Sequence, residues 1–353
     1  MPPPSPTSDS TPRALPCAPA DADIFLSEPT PGVLEAVKSL AGPMHVLGAG
    51  GKMGLHLCLM LQRALTAAGR PGEVTAISRF TTLRARDDFE RNGVRTLACD
   101  LADELALARL PDAPTLFFLA GVKFGTASNP DLLQQVNRDL PARVADRFRS
   151  SRIVAFSTGC VYPFVPPASG GARESTPVDP IGAYALSCVQ REEAFAEASR
   201  NYGTPVVFIR LNYSVEFRYG VLVDVAQKVR ARQPIDVTMG YVNVIWQRDA
   251  LAHVIQSAAL AASPAIPLNV AGPEIVTVRS VASRFGEMFG VPVAFTGHEA
   301  PTAWLNDATM AHERFGEPEA SVEQMMTWIA AWLDSGAPLW GKPTAFENRA
   351  GNY

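Results

Sequence analysis

The chain has 353 residues, 47% of them hydrophobic, and a formal charge of −4. That length supports one large α/β domain, or a large domain with a small partner, and the slight acidity gives no general attraction to nucleic-acid phosphates. The cysteines, Cys17, Cys58, Cys99, Cys160 and Cys188, follow no disulfide or metal-ligand spacing. This fits a reducing cytoplasmic setting, and no run approaches the ~20 apolar residues that span a bilayer.

Residues 1–22 are rich in proline and serine at their start and read as a disordered tail without the apolar core of a signal peptide. Thr30 followed by Pro31 marks a helix start, and Val33, Val37 and Leu40 supply its apolar stripe. Strands follow at Met44–Leu47, Val74–Ser78, Val94–Ala98, Leu116–Ala120, Arg152–Ser157 and Pro205–Arg210, with helices over Met53–Ala68, Pro130–Arg149 and Ala183–Asn201. Apolar strands that alternate with helices predict a parallel sheet covered on both faces. Beyond Asn212 the pattern loosens: Leu222–Ala231 and Asp249–Ala262 read as helices, Val242–Trp246 as a strand, and Pro267–Val270 as a strand returning to the sheet. Two or three helices fill Ser280–Asp334. The expected organisation is a Rossmann-like, doubly wound domain over 23–212 and a smaller substrate lobe over 213–353, with 249–275 rejoining the sheet. The stretch Gly341–Tyr353 carries no legible pattern.

The first strand runs into Gly48-Ala49-Gly50-Gly51-Lys52-Met53-Gly54 and then a helix. Glycines there permit a sharp turn and close backbone approach to a pyrophosphate, and the helix N-terminus offers free N–H groups. The G-x-x-G-x-x-G spacing of Gly48, Gly51 and Gly54 resembles that of the extended short-chain dehydrogenase/reductases, the NAD-dependent epimerase/dehydratase family. The resemblance implies that Ser78 and Arg79, ending the second strand, face the adenosine ribose. An acidic residue there would accept from a 2′-hydroxyl, whereas Arg79 suits a 2′-phosphate and hence NADP, with NAD possible; a solvated surface charge is the alternative. It also implies that Asp100 and Leu101 contact the adenine, and that Leu119, Ala120 and Gly121 border the cofactor, as does Leu211 after the sixth strand.

Phe156-Ser157-Thr158-Gly159-Cys160-Val161-Tyr162-Pro163 resembles the family's Ser-Ser-x-x-Val-Tyr-Gly strand, which puts Thr158 in the role that binds the reacting oxygen. Pro180-Ile181-Gly182-Ala183-Tyr184 with Ser187 and Cys188 resembles its Pro-x-x-x-Tyr-x-x-Ser-Lys helix, which makes Tyr184 the acid/base and a cofactor contact. A phenol with an ordinary pKa near ~10 is a poor base at neutral pH. The family lowers that value with a lysine one helical turn on, where this chain has Cys188. Lys123 is the candidate replacement charge, with a surface lysine as the alternative. Cys160 also lies beside the expected site, although no histidine stands in a recognisable relation to it as a base. Gly159, Cys160, Lys123, Asn212, Tyr213, Arg218 and Trp246 are the substrate-pocket candidates.

These readings imply an NAD(P)-dependent oxidoreductase or epimerase acting on a secondary alcohol or ketone, sugar-like in character. A non-catalytic dinucleotide sensor and a redox-neutral lyase or isomerase on the same fold are the alternatives. The resemblance also implies a homodimer through the helices Pro130–Arg149 and Ala183–Asn201, and a small-molecule substrate rather than a membrane or nucleic-acid partner.

Overall fold

The computed structural model describes residues 15–81, 85–123 and 130–351. Six strands, β1 (Met44–Leu47), β2 (Val74–Ser78), β3 (Arg95–Ala98), β4 (Thr115–Phe118), β5 (Arg152–Thr158) and β6 (Val206–Leu211), join Ile266–Val270 in one sheet. Their spatial order is Ile266–Val270, β6, β5, β4, β1, β2, β3, and every pairing is parallel. From β1 the chain winds outward to β3, then returns to place β4 on the other side of β1. Such a reversal opens a crevice at the carboxyl ends of β1 and β4. All four residues of β1 and of β4 are buried, as strands covered on both faces require.

Three helices precede β2: α1 (Pro19–Leu26), α2 (Pro31–Ser39) and α3 (Gly54–Ala67). Thr30 caps α2 by accepting from the Val33 N–H at 3.3 Å. Helices α2, α3 and Gln247–Ser257 cover one face of the sheet. The helices Leu140–Arg147 and Gly182–Tyr202 cover the other through Val144, Ala145, Phe195 and Ala198.

The chain departs from the sequence reading in three places. The first concerns the expected tail, of which residues 1–14 lie outside the described residues. Its end forms α1, whose Ala22, Phe25 and Leu26 are buried in the core of the carboxyl-terminal lobe. Phe25 meets Phe217, Trp246 and Trp328 edge-on at 5.4, 6.5 and 5.4 Å, so aromatic burial orders this short helix. Second, the expected helix Pro130–Arg149 is divided into Pro130–Gln134, a π-turn Gln135–Asp139 and Leu140–Arg147. Pro141 lacks an N–H and crowds the preceding turn, which favours a wider local winding. Third, Val242–Trp246 splits at Val244. Tyr241–Asn243 pairs with Ile275–Thr277, and Ile245–Trp246 pairs with Ser214–Val215.

The carboxyl-terminal lobe has its own apolar core, built on Phe217, Trp246, Phe285, Trp304 and Trp332. The unread stretch after Gly341 has no helix or strand, yet it is pinned at several points. Thr344 donates through N and Oγ1 to Asp224 at 2.7 and 2.6 Å, Glu347 pairs with Lys228 at 2.5 Å, and Arg349 donates to the Thr302 carbonyl at 2.6 Å. Gly351 packs against Ile181 and Gly182 at the start of the Gly182–Tyr202 helix.

Candidate active site

A cavity of about 420 Å³ opens at the crevice. Its floor is the β1–α3 loop, through Gly48, Gly51, Lys52, Met53 and Gly54. Gly48 has φ of +81°, and a Cβ there would lie 2.5 Å from the Ala120 nitrogen. The glycine therefore serves both the turn and the approach of β4. A Cβ on Gly54 would meet the Ala49 carbonyl at 2.1 Å, so this glycine seats the helix on the strand. At Gly51 the nearest obstacle is 3.5 Å away. Glycine is not demanded there by the protein, and its bare backbone leaves room for a ligand. No side chain caps α3 at Met53, which leaves its first N–H groups to an anion.

The opposite wall is catalytic in composition. Ser157, Thr158, Cys160 and Tyr184 line the cavity, as do Leu119, Gly121 and Lys123 from the end of β4. Thr158 ends β5 and accepts from the Cys160 N–H at 3.3 Å, opening a short turn over Gly159–Val161. Gly159 faces away from the cavity: a Cβ there would strike Asn306 Oδ1 at 2.5 Å. Tyr184 projects from the first turn of the Gly182–Tyr202 helix. Burial pushes its phenol well above the usual value, reinforced by Cys188, with which it shares a hydrogen bond. Cys188 is fully buried with Val161, Tyr162 and Ala172, and burial raises its thiol, which stays uncharged. The Lys123 ammonium lies 5.6 Å from the centre of the Tyr184 ring, and burial lowers its pKa.

Behind this wall runs a buried polar network. Ser157 donates to Glu192 at 2.5 Å, and Arg210 holds both Glu192 oxygens at 3.0 and 2.6 Å. Arg210 also donates to the Tyr162 hydroxyl at 2.7 Å, which donates to Asn269 at 2.9 Å. Asn137, in the π-turn, accepts from the Val122 N–H at 2.9 Å and from Arg191 at 2.7 Å, and donates to Ser187 at 2.9 Å. Apart from the buried Arg191 Nε, which has no partner among the described residues, these groups bond to one another and fix β5 and the tyrosine helix against each other.

Asn212 and Tyr213 line the remaining side with Ser214, Tyr219, Gly220, Val221, Gln247 and Thr344. Tyr213 takes a left-handed φ of 39°, an uncommon state for a non-glycine residue. Lys52 stands 3.3 Å above the Tyr219 ring. Burial and the like charges of Lys123 and Lys342 bring its pKa to about 7.

The adenosine-side candidates gather at the ends of β1, β2 and β3, outside the cavity. The Ser78 hydroxyl lies under Gly50, 2.6 Å from where a Cβ would stand, and Arg79 reaches Asp100 at 3.9 Å. The Leu101 side chain is part of the core with Leu47 and Ile77. Besides Gly159, two pocket candidates are corrected. Trp246 is buried in the aromatic core of the second lobe, and its successor Gln247 reaches the cavity instead. Arg218 is buried in an ionic cluster, donating to Glu216 at 3.0 Å and to Asp23 of α1 at 2.9 Å. Its guanidinium ties α1 to the second lobe.

The sequence profile of the NAD dependent epimerase/dehydratase family matches residues 44–239. The chain belongs to that family. The match spans the glycine loop, Thr158, Tyr184 and the wall up to Val221. No curated protein matches the sequence. Among solved structures, the UDP-glucose 4-epimerase of Thermus thermophilus in complex with NAD is 19% identical, with TM-score 0.68 over 82% of this chain and 98% of its own. The Bordetella bronchiseptica enzyme WbmG in complex with NAD and UDP is 18% identical, with TM-score 0.68 over 84% and 96%. Pal from Bacillus thuringiensis is 17% identical, with TM-score 0.67 over 83% and 99%. At such identities the likeness establishes a shared fold. The epimerase/dehydratase membership makes this chain an enzyme of the short-chain dehydrogenase/reductase kind.

Proposed function

We propose that this protein interconverts a secondary alcohol and a ketone on a hydroxyl-rich, sugar-like small molecule, as an oxidoreductase or epimerase using a nicotinamide dinucleotide. One observation carries the reading: Thr158 and Tyr184 both line the cavity whose floor is the glycine loop. The bare Gly51 backbone and the uncapped start of α3 fit a pyrophosphate. When bound, the nicotinamide supplies the hydride acceptor or donor. Thr158 orients the reacting oxygen by a hydrogen bond, and Tyr184 gives that oxygen a proton on reduction or takes one on oxidation.

Cys188 replaces the family's lysine, and Lys123, from the end of β4, assumes its charge. Its approach to the Tyr184 ring supports this role, because an ammonium near the ring favours the tyrosinate. Arg79 gives NADP(H) the preference over NAD(H), by pairing with a 2′-phosphate in place of Asp100. The lobe over 213–353 shapes the substrate side, and the enzyme works as a cytoplasmic homodimer.

The test is absorbance of the purified protein with NADPH or NADH and a panel of keto sugars, and with NADP+ or NAD+ and a panel of sugar alcohols, with epimerisation of sugars followed by chromatography. Steady consumption that Tyr184→Phe abolishes supports the reading. Tight cofactor binding without reduction, oxidation or epimerisation of any compound moves the protein to the sensor class. Tighter binding of NADH than NADPH, or a preference unchanged in Arg79→Ala, ends the NADP assignment.

A further inference from the structure

Gln247 begins the Gln247–Ser257 helix and lines the cavity, yet it is only 4% exposed. Its Nε2 is hydrogen-bonded to His56 Nδ1 on α3. The other ring nitrogen, Nε2, lies 2.7 Å from Asp23 Oδ1. Arg218 lies 3.4 Å from the same nitrogen, but the shorter contact is to a carboxylate, which only accepts, and it places the imidazole proton on Nε2 and the lone pair on Nδ1. Gln247 must then present its N–H to His56, because the reverse orientation would set Oε1 against that lone pair. Arg218 donates to the same Asp23 oxygen at 2.9 Å and holds the carboxylate still. Gln247 Oε1 makes no hydrogen bond among the described residues, and its side chain borders the cavity. The relay therefore delivers a fixed, buried acceptor to a space in which Lys52 and Lys123 are donors.

We propose that Gln247 is a substrate-recognition residue whose Oε1 accepts a hydrogen bond from a hydroxyl of the bound molecule, with His56 as the residue that positions it. The inference rests on the sugar-like reading above for the substrate class. A carbonyl oxygen repels phosphate and carboxylate groups and selects a donor. A buried acceptor left unpaired also penalises analogues without the hydroxyl, which is how such sites gain selectivity.

The test uses the full chain saturated with NADPH, titrated calorimetrically with glucose, galactose and their monodeoxyfluoro derivatives, free and as UDP conjugates. Fluorine keeps the size of a hydroxyl but donates nothing. In the wild type, one fluoro position is expected to weaken binding roughly tenfold. Gln247→Met should weaken the parent compound by a similar factor and bind that fluoro analogue as the wild type does, with NADPH affinity unchanged and a lower melting temperature, since it leaves the buried His56 Nδ1 without its donor. His56→Phe, which removes the partner of the Gln247 amide, should reduce the preference for hydroxyl over fluorine. Parent binding unchanged in Gln247→Met overturns the proposal. So does a loss confined to NADPH, which would assign the hydroxyl to the cofactor ribose. If the wild type binds none of these sugars, the sugar-like reading fails by itself. A crystal of the NADPH complex grown in molar glycerol then decides Gln247: a glycerol hydroxyl on Oε1 sustains the assignment, and Nε2 turned toward the cavity ends it.

Discussion

Lys52 and Lys123 face one cavity and each is lowered by burial, Lys52 to about 7. An anion on the glycine loop restores the charged form of Lys52. Binding then takes up a proton, and dinucleotide affinity is expected to fall as pH rises above about 7. Calorimetry of cofactor binding in buffers of different ionisation enthalpy checks this, and Lys52→Met should flatten the pH dependence. Tyr184 works in the opposite sense, since burial keeps its phenol protonated. Carbonyl reduction, which consumes that proton, should dominate near neutrality, and alcohol oxidation should rise toward alkaline pH as tyrosinate forms. Lys123→Met should push the oxidation profile to still higher pH and cost about tenfold or more at neutrality, since each unit of tyrosine pKa is a factor of ten in tyrosinate. Cys188→Ser, which changes no charge, should leave the profile where it is. Initial rates in both directions across pH separate these outcomes.

The elements carry a different lesson. Helix α1 is held to the second lobe by Phe25 and by the Asp23–Arg218 ion pair. Arg218→Met would leave Asp23 and Glu216 as buried carboxylates without their cation, a loss of about 3–5 kcal/mol. Faster hydrogen exchange confined to 19–26 and the 216–218 segment, with a lower melting temperature, is the expected result; unchanged exchange in α1 would show that the aromatic contacts alone hold it. The same helix marks where sequence reasoning stopped. Strands β1 and β2 were legible to the residue, because short apolar runs bounded by turn signals have one reading in a parallel sheet. Helix α1 was not, because Ala22, Phe25 and Leu26 follow a proline-rich stretch and gain their meaning only from aromatic partners far along the chain. Gln247 was missed by one position for a related reason. Its neighbour Trp246 has the larger side chain, and no periodicity tells which of two adjacent residues turns inward when the strand ends. Arg218 follows the segment after β6 that the resemblance places at the substrate, and nothing in the sequence pairs it with Asp23, its partner in the fold. The hydroxyl pair of Thr158 and Tyr184, carried by ordered spacings on β5 and the following helix, needed no such distant information.

At the scale of the molecule, the helices Leu140–Arg147 and Gly182–Tyr202 lie side by side on one face of the sheet. Leu186 on the second is 49% exposed despite its apolar side chain. A homodimer through this face would cover it, and light scattering at micromolar concentration should give twice the chain mass. Leu186→Glu should shift that mass toward the monomer, and a wild-type monomer would refute the assembly. Among the described residues no helix is long and apolar enough to cross a membrane. The buried network behind the site joins three strands of the sheet to the tyrosine helix through Ser157, Glu192, Arg210 and Asn269, so dimer contacts on that helix bear on a rigid unit rather than on a loop.

The cavity wall begins at Gly48 and is closed by Thr344, which reaches it on a stretch without helix or strand. During synthesis these two pieces emerge far apart in time, at ~5–20 residues per second. The glycine loop and its flanking strands leave the ribosome while the closing segment is still unmade. A nascent chain therefore carries the residues of the glycine loop well before it carries Thr344, and the cavity receives the last of its lining residues only when synthesis is nearly complete.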